Sequence, residues 1–330
     1  MAAQQSPPPG PVAEIPIAAT VMASFAAVFG RLALVAQAAK GAVALLIGAW
    51  IISLVLPAGG GVSFFLILVS FAATCHFGVN WCRIILFGPE ALPAKSLSWG
   101  EIHWRFFGYS AFLALTMMLM AVPLTFIGSV LAAVFGLMGS AGQIGPGVIL
   151  VLLVMFAGMI YALARLGFVL PAAAAGETYG LGLSWQHTAG QGLRLTAALA
   201  AVALPLTIAQ IAISLILLQL FFGLSMADLM PTVPLPGEEL PAEGPAPAVS
   251  PSEPPSILGV IVFNLIQAVA NFLAFAVVFT LLSFAFRTCT GWVPGPGAPG
   301  GTSSGSAEPP RLPREDDAGF GDGSDGRPDR

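Results

Sequence analysis

Arginine and tryptophan residues follow the apolar segments of this sequence at positions where they could bind an anion. They are Arg83, Arg105, Arg165, Arg194 and Arg287, together with Trp99 and Trp185. A guanidinium group binds phosphate through two parallel hydrogen bonds, and tryptophan rings favour the headgroup depth of a membrane. The favoured interpretation is that Arg83 and Arg165 are anchors whose charged ends reach the membrane interface. The alternative hypothesis is that these residues together form a site for anionic lipid headgroups.

Two later apolar segments carry uncharged polar residues along one helical face each. The residues are Thr207, Gln210 and Ser214 in the first segment, and Asn264, Gln267 and Asn271 in the second. Such residues either join neighbouring helices by hydrogen bonds or line a polar path through the membrane. The second alternative predicts a small-solute transporter or permease. No carboxylate accompanies the two faces, which weakens any model of transport coupled to protons or cations.

The remaining reactive side chains have ordinary interpretations. His76 and Asn80 share a helical face and are interpreted as a packed polar pair, since one helix supplies too few ligands for a metal. His103 and His187 are interpreted as surface histidines. The acidic residues interpreted as solvated charges are Glu90, Glu101 and Glu177. Walker, HExxH and GxSxG motifs are absent from the sequence, which therefore predicts no catalytic residue, no metal and no cofactor, and favours a non-enzymatic protein.

The composition requires a membrane around these residues. Apolar residues make up 57% of the chain and charged residues 8%, whereas soluble domains contain about 25% charged residues. Several apolar runs also reach the roughly 20 residues that span a bilayer. We therefore predict an all-α polytopic membrane protein with six transmembrane helices, at 41–57, 62–86, 107–137, 148–170, 196–224 and 257–286. The sequence has no basic stripe of the kind that binds nucleic acid.

Three stretches outside the spans have the composition of disordered chain. They are a leader at 1–17, an acidic and proline-rich loop at 225–256, and a tail at 293–330. The six-span membrane domain covers 18–292. Every Lys and Arg outside the tail flanks the start of the chain or the end of an even-numbered span. The positive-inside rule then predicts a protein of the bacterial cytoplasmic membrane with both termini in the cytoplasm and the acidic loop outside.

Parts of the sequence recur at a constant offset. Arg83 and Arg165 are 82 residues apart, and Pro123 and Pro205 keep the same offset. A Leu-Ser-Trp motif that begins at Leu97 recurs after 86 residues. Recurrence in register with the spans predicts three repeats. Each repeat contains an interfacial helix followed by two spans, and these helices begin at 18, 97 and 183.

An arginine followed six residues later by a proline, and then Leu-Ser-Trp before a proline-containing span, resembles a group of uncharacterised bacterial multi-pass membrane proteins. That group is similar to the membrane domain found beside some glycerophosphodiester phosphodiesterases. The resemblance covers about 18–292 and carries over no catalytic residue, because the phosphodiesterase domain has no counterpart in this sequence. Together with the arginines and tryptophans, it leads us to predict a membrane component that interacts with lipids, with a membrane-protein partner or with a second copy of itself.

Overall fold

The computed structural model describes residues 14–56, 60–93, 95–135, 146–223 and 257–294. Within these ranges the chain forms helices and no strand. Six of the described helical stretches are long and apolar enough to cross a membrane, which confirms the predicted all-α polytopic fold. The predicted loop at 225–256, and nearly all of the predicted leader and tail, lie outside the described residues.

The described helices are numbered in chain order. They are α1 Ile17–Phe29, α2 Leu32–Val55, α3 Gly60–Phe87, α4 Glu101–Val134, α5 Pro146–Leu166, α6 Val169–Ala175, α7 Leu181–His187, α8 Gly192–Phe222 and α9 Ile257–Thr290. A single 3₁₀ turn, Pro89–Ala91, follows α3. The candidate spans are Leu32–Ser53, Gly60–Phe87, Glu101–Val134, Pro146–Ala175, Gly192–Phe221 and Gly259–Thr290.

The first helix boundary differs from the prediction. A surface helix over 18–39 was expected before the first span, but the chain breaks earlier, at Arg31, whose φ of −135° and ψ of 40° are not helical. The helix α2 then continues through Gly41 without interruption. The end of the predicted leader also belongs to the fold, because Ile15 is 2% exposed and Glu14 forms an ion pair with Arg194.

The predicted interfacial helices are present in two of the three repeats. The helix α7 follows the prediction for the third repeat, although it ends at His187 and a separate helix, α8, begins at Gly192. In the second repeat the residues 98–100 are non-helical, and the expected surface helix merges into the 34-residue α4. The fourth span is likewise interrupted near Gly167. The short helix α6 follows and is buried against α3 and α4.

The buried core lies at one end of the bundle. It contains the second half of α3, all but the last residue of α6, and the second half of α9. The same end gathers the chain connections, because Phe87 packs edge-on against Trp292 at 5.4 Å between ring centres, and Trp292 Nε1 donates to Glu177 Oε1 at 3.2 Å. All five arginines proposed above lie near these helix ends, so we call it the basic end.

Farther from the basic end, α4 and α5 approach closely at small residues. A Cβ on Gly128 would lie 2.8 Å from Val151 Cα, and one on Gly158 would lie 2.6 Å from Leu124 Cδ1. Small residues allow membrane helices to approach in this way. Gly128 and Gly158 therefore serve packing between α4 and α5.

Replacing Gly128 with alanine is expected to weaken this contact, because the added methyl group meets the backbone of Val151 and α5 must shift. We expect a loss of roughly 1–3 kcal/mol in the free energy of unfolding, measured as a lower melting temperature in detergent. The matched control is Gly108→Ala on the same helix, since no atom lies within 4 Å of its added Cβ. Equal melting temperatures of the two variants would contradict the expectation.

Candidate functional site

The arginines at the basic end do not converge on one site. Arg105 forms an ion pair with Glu101 at 2.6 Å, and Arg194 forms one with Glu14 at 2.6 Å. Arg287 lies half-buried in the last turn of α9. Each of these residues has its own surroundings, so the five predicted arginines are separate groups at one level of the bundle.

Arg165 is a buried packing group. Its guanidinium carbon lies 4.1 Å from the centre of a Trp185 ring, and a Cβ on Gly192 would be 3.0 Å from Arg165 Cδ. The hydroxyl of Ser184 donates to the backbone carbonyl of Arg165 at 2.8 Å. Arg165 is only 7% exposed. Its contacts with Trp185 and Gly192 therefore join α5, α7 and α8.

Arg83 has different surroundings, because it lines a cavity of about 630 Å³. The cavity lies between the end of α3, the connection that follows it and the start of α4, and we call it the Arg83 pocket. Its charged and polar lining residues are Asn80, Arg83, Glu90, Ser98, Trp99, Glu101 and His103. Arg83 Nε donates to the carbonyl of Ala91 at 3.5 Å. No ion pair forms at Arg83 within the described ranges.

His103 is part of this pocket and is not a surface residue, so its interpretation from the sequence was wrong. It is 8% exposed and lies in the first turn of α4, where the Gly100 backbone N–H donates to its Nδ1 at 3.3 Å. Because Nδ1 accepts, the proton of the neutral ring lies on Nε2. The ring also stacks on His76, with 5.0 Å between ring centres.

His76 and Asn80 form the packed pair that the sequence predicted, and the structure adds partners from distant segments. His76 Nε2 lies 2.9 Å from the carbonyl oxygen of Ser96, and Asn80 Nδ2 lies 3.2 Å from the same His76 nitrogen. One ring nitrogen cannot donate to Ser96 and accept from Asn80 at once. The Asn80 amide is therefore incompletely paired, and its remaining bond to the carbonyl of Ala38 is long, at 3.5 Å.

Within the part of the chain that the structure describes, several buried polar atoms around the pocket have no hydrogen-bond partner. They are His76 Nδ1, Asn80 Oδ1, Trp99 Nε1 and His103 Nε2. A buried polar atom without a partner costs roughly 1–3 kcal/mol, and native proteins contain few of them. The wall of the Arg83 pocket therefore contains several polar groups whose hydrogen bonds are incomplete.

The second polar connection, between α6 and α8, lines a different cavity. Its residues Glu177, Thr178 and Leu181 border a cavity of about 560 Å³ together with Trp104 and Arg105. Burial raises the pKa of the Tyr179 phenol, so the phenol stays protonated and donates to His187 Nδ1 at 2.6 Å. Glu177 instead accepts from Trp292, as described above. Arg165 stacks elsewhere, on Trp185, so Arg165, Glu177 and His187 do not share a pocket that could serve catalysis.

The uncharged polar residues of α8 and α9 divide between a helix contact and the outer surface. Gln267 Nε2 donates to Ser214 Oγ at 2.8 Å, which is an interhelical bond of the kind expected. Ser214 Oγ in turn donates to the backbone carbonyl of Gln210 at 2.8 Å. Thr207 and Asn271 are exposed.

The sixth residue of the two polar faces lies apart from the others. Asn264 donates to the Val260 carbonyl of its own helix at 2.8 Å and lines a cavity of about 380 Å³ beside α2. Thr207 and Asn271 thus face outward, and Asn264 faces a separate cavity. Gln267 and Ser214 form the bond across the α8–α9 contact. This distribution is that of helix packing and does not form a continuous polar path.

Comparisons of the chain with protein families, curated proteins and solved structures found no match. The resemblance to the membrane domain found beside some phosphodiesterases thus stays a prediction. The geometry of the chain itself carries the argument about function.

Sequence reasoning assigned Arg83 and Trp99 to a candidate anion site but gave ordinary roles to Asn80, Glu90, Glu101 and His103, which line the same pocket. One signal for His103 was present, because it lies three residues after Gly100, at the position where a side chain can bond back to the residue before a helix. Among the described residues, no group of three or more His, Cys, Asp or Glu side chains could hold a metal ion.

Proposed function

We propose that this membrane protein binds the phosphate of a lipid headgroup in the Arg83 pocket, as a lipid-interacting component of the bacterial cytoplasmic membrane. The observation that carries the proposal is a half-buried guanidinium that has no carboxylate partner among the described residues and lines a cavity of about 630 Å³. Arginine is well suited to this task, because its planar fork matches two phosphate oxygens.

The proposed topology places the pocket at headgroup depth. The positive-inside rule assigns the basic end to the cytoplasmic side, with both termini there. Trp104 lies next to the pocket in sequence and is 63% exposed, as an aromatic residue at the membrane interface would be. A lipid of the cytoplasmic leaflet would then bring its phosphate to the level of Arg83.

Substituting Arg83 with glutamine is expected to reduce lipid retention by roughly tenfold to hundredfold, because hydrogen bonds to a charged group contribute roughly 1.5–3 kcal/mol. The measurement is native mass spectrometry of the protein purified in mild detergent, counting retained phospholipid per chain. Glutamine keeps most of the side-chain length while it removes the charge.

The matched control is Arg194→Gln, because Arg194 pairs with Glu14, its side chain is 43% exposed, and neither residue lines the Arg83 pocket. This variant is expected to retain lipid as the unaltered protein does. Unchanged lipid retention in Arg83→Gln, with a melting temperature equal to that of the control, would remove the proposal.

A further inference from the structure

The Arg83 pocket contains two unpaired charges of opposite sign. Arg83 and Glu90 line the same cavity, yet neither takes part in an ion pair in the portion of the chain that the structure describes. The second acid of the pocket, Glu101, is neutralised by Arg105 at 2.6 Å. Among the described residues, the cavity thus presents one cation, Arg83, and one anion, Glu90, that have no ion-pair partner.

The phosphate side of this arrangement has several hydrogen-bond donors. Arg83 supplies the guanidinium, and Ser98, which also lines the cavity, supplies a hydroxyl. The 34-residue helix α4 also begins at the pocket with Glu101. The first N–H groups of a helix have no partner within the helix and favour an anion.

The cavity also offers acceptors for a cation. The carboxylate of Glu90 lines it and is exposed. A primary ammonium group carries three N–H donors and no acceptor, so it can donate to both carboxylate oxygens. A quaternary ammonium group has no N–H to donate, and proteins recognise it through aromatic cages.

From this balance of charges and bonds, we propose that the Arg83 pocket selects a phosphodiester headgroup that carries a primary ammonium, of the ethanolamine type. The inference rests on the proposed function, since it concerns the same cavity. A purely anionic headgroup would place its phosphate at Arg83 but leave Glu90 facing the ligand without a cation. A zwitterionic headgroup satisfies both charges.

The test is competitive lipid retention. The protein is incubated in mixed micelles that contain equal amounts of phosphatidylethanolamine, phosphatidylglycerol and phosphatidylcholine, and bound lipid is identified by native mass spectrometry. We expect phosphatidylethanolamine to exceed each of the others by roughly two- to fivefold, as an exposed carboxylate such as Glu90 contributes modestly. The variant Glu90→Gln should keep lipid but lose this preference. Its melting temperature should be unchanged, because Glu90 is exposed.

The outcomes separate the inference from the proposed function. Retention that depends on Arg83 without a preference for the ethanolamine headgroup, or with a preference that survives Glu90→Gln, would overturn the inference alone. Retention that is unaffected by Arg83→Gln would overturn both.

In a further arm of the experiment, soluble glycerophosphoethanolamine is added in excess to the protein with its bound lipid. Displacement of lipid by it indicates that a free headgroup compound also binds, and the absence of displacement, together with the ethanolamine preference, indicates a membrane lipid.

Discussion

Replacing Gly41 with alanine is expected to destabilise the protein by about 3 kcal/mol and to remove its retained lipid. A Cβ at this position would overlap the Ser96 carbonyl oxygen and would lie 2.5 Å from His76 Nε2. The Ser96 oxygen belongs to the backbone, so it cannot rotate away, and inserted atoms in a packed site typically cost about 1–3 kcal/mol or more. The methyl group would also push apart the contact of His76 with Ser96.

The consequence for lipid follows from the position of that contact. Ser96 belongs to the connection between α3 and α4, and Ser98 and Trp99 of the same connection line the Arg83 pocket. Displacing the connection changes the pocket while Arg83 itself is retained. The measurements are the melting temperature in detergent and the phospholipid retained per chain.

The control for Gly41→Ala is Gly48→Ala, two turns later on α2. No atom lies within 4 Å of a Cβ added to Gly48, so Gly48→Ala should leave lipid retention unchanged. It should raise stability slightly, because alanine favours a helix over glycine by about 1 kcal/mol. A Gly41→Ala protein that melts and binds lipid like the Gly48→Ala protein would show that α2 does not constrain the pocket.

Truncating Trp81 to alanine is expected to cost at least about 3 kcal/mol in the free energy of unfolding. Trp81 is 0% exposed, and its Nε1 donates to the Ala276 carbonyl and to Thr280 Oγ1, each at 2.9 Å. Lipid is as apolar as the core of a membrane protein, so transfer from water contributes little here. The loss comes from the cavity and from the two bonds that join α3 to α9.

A second substitution at the same position separates these contributions. Trp81→Phe keeps most of the packing and removes the donor, so it should cost about 1 kcal/mol. The control is Trp104→Ala, since Trp104 is 63% exposed and its loss should change the melting temperature little. If Trp81→Ala melted at the temperature of Trp104→Ala, the α3–α9 contact would not be a stabilising part of the core.

The spans could be predicted because membrane crossing is a property of each segment alone. Hydropathy and length decide it, and they do not depend on what the segment touches. Boundaries at the membrane surface were less predictable. The sequence at Leu97 suggested a surface helix like the one that contains Leu183, but α4 begins only at Glu101, where His103 bonds back to Gly100.

The candidate site was predicted only in part. Arg83 and Trp99 were recognised from their types and from their place after an apolar run. The alignment of Arg83 with Arg165 suggested equal roles, yet Arg165 is buried against Trp185 and Gly192, whereas Arg83 lines a cavity. A repeat in the sequence does not predict which of the two arginines borders a cavity and which is packed against neighbouring side chains.

By itself, the sequence determined that this chain is an all-α membrane protein with six spans, and that the Lys and Arg residues before 293 lie at or beyond the ends of those spans. Lipid imposes this result on each segment separately, because it solvates apolar side chains and leaves backbone groups to bond within the helix. Only the tertiary structure decided that Asn80, Arg83, Glu90 and His103 border one cavity and that Gly41 lies against His76. These arrangements depend on close approach between distant segments, which the pattern of any single segment does not contain.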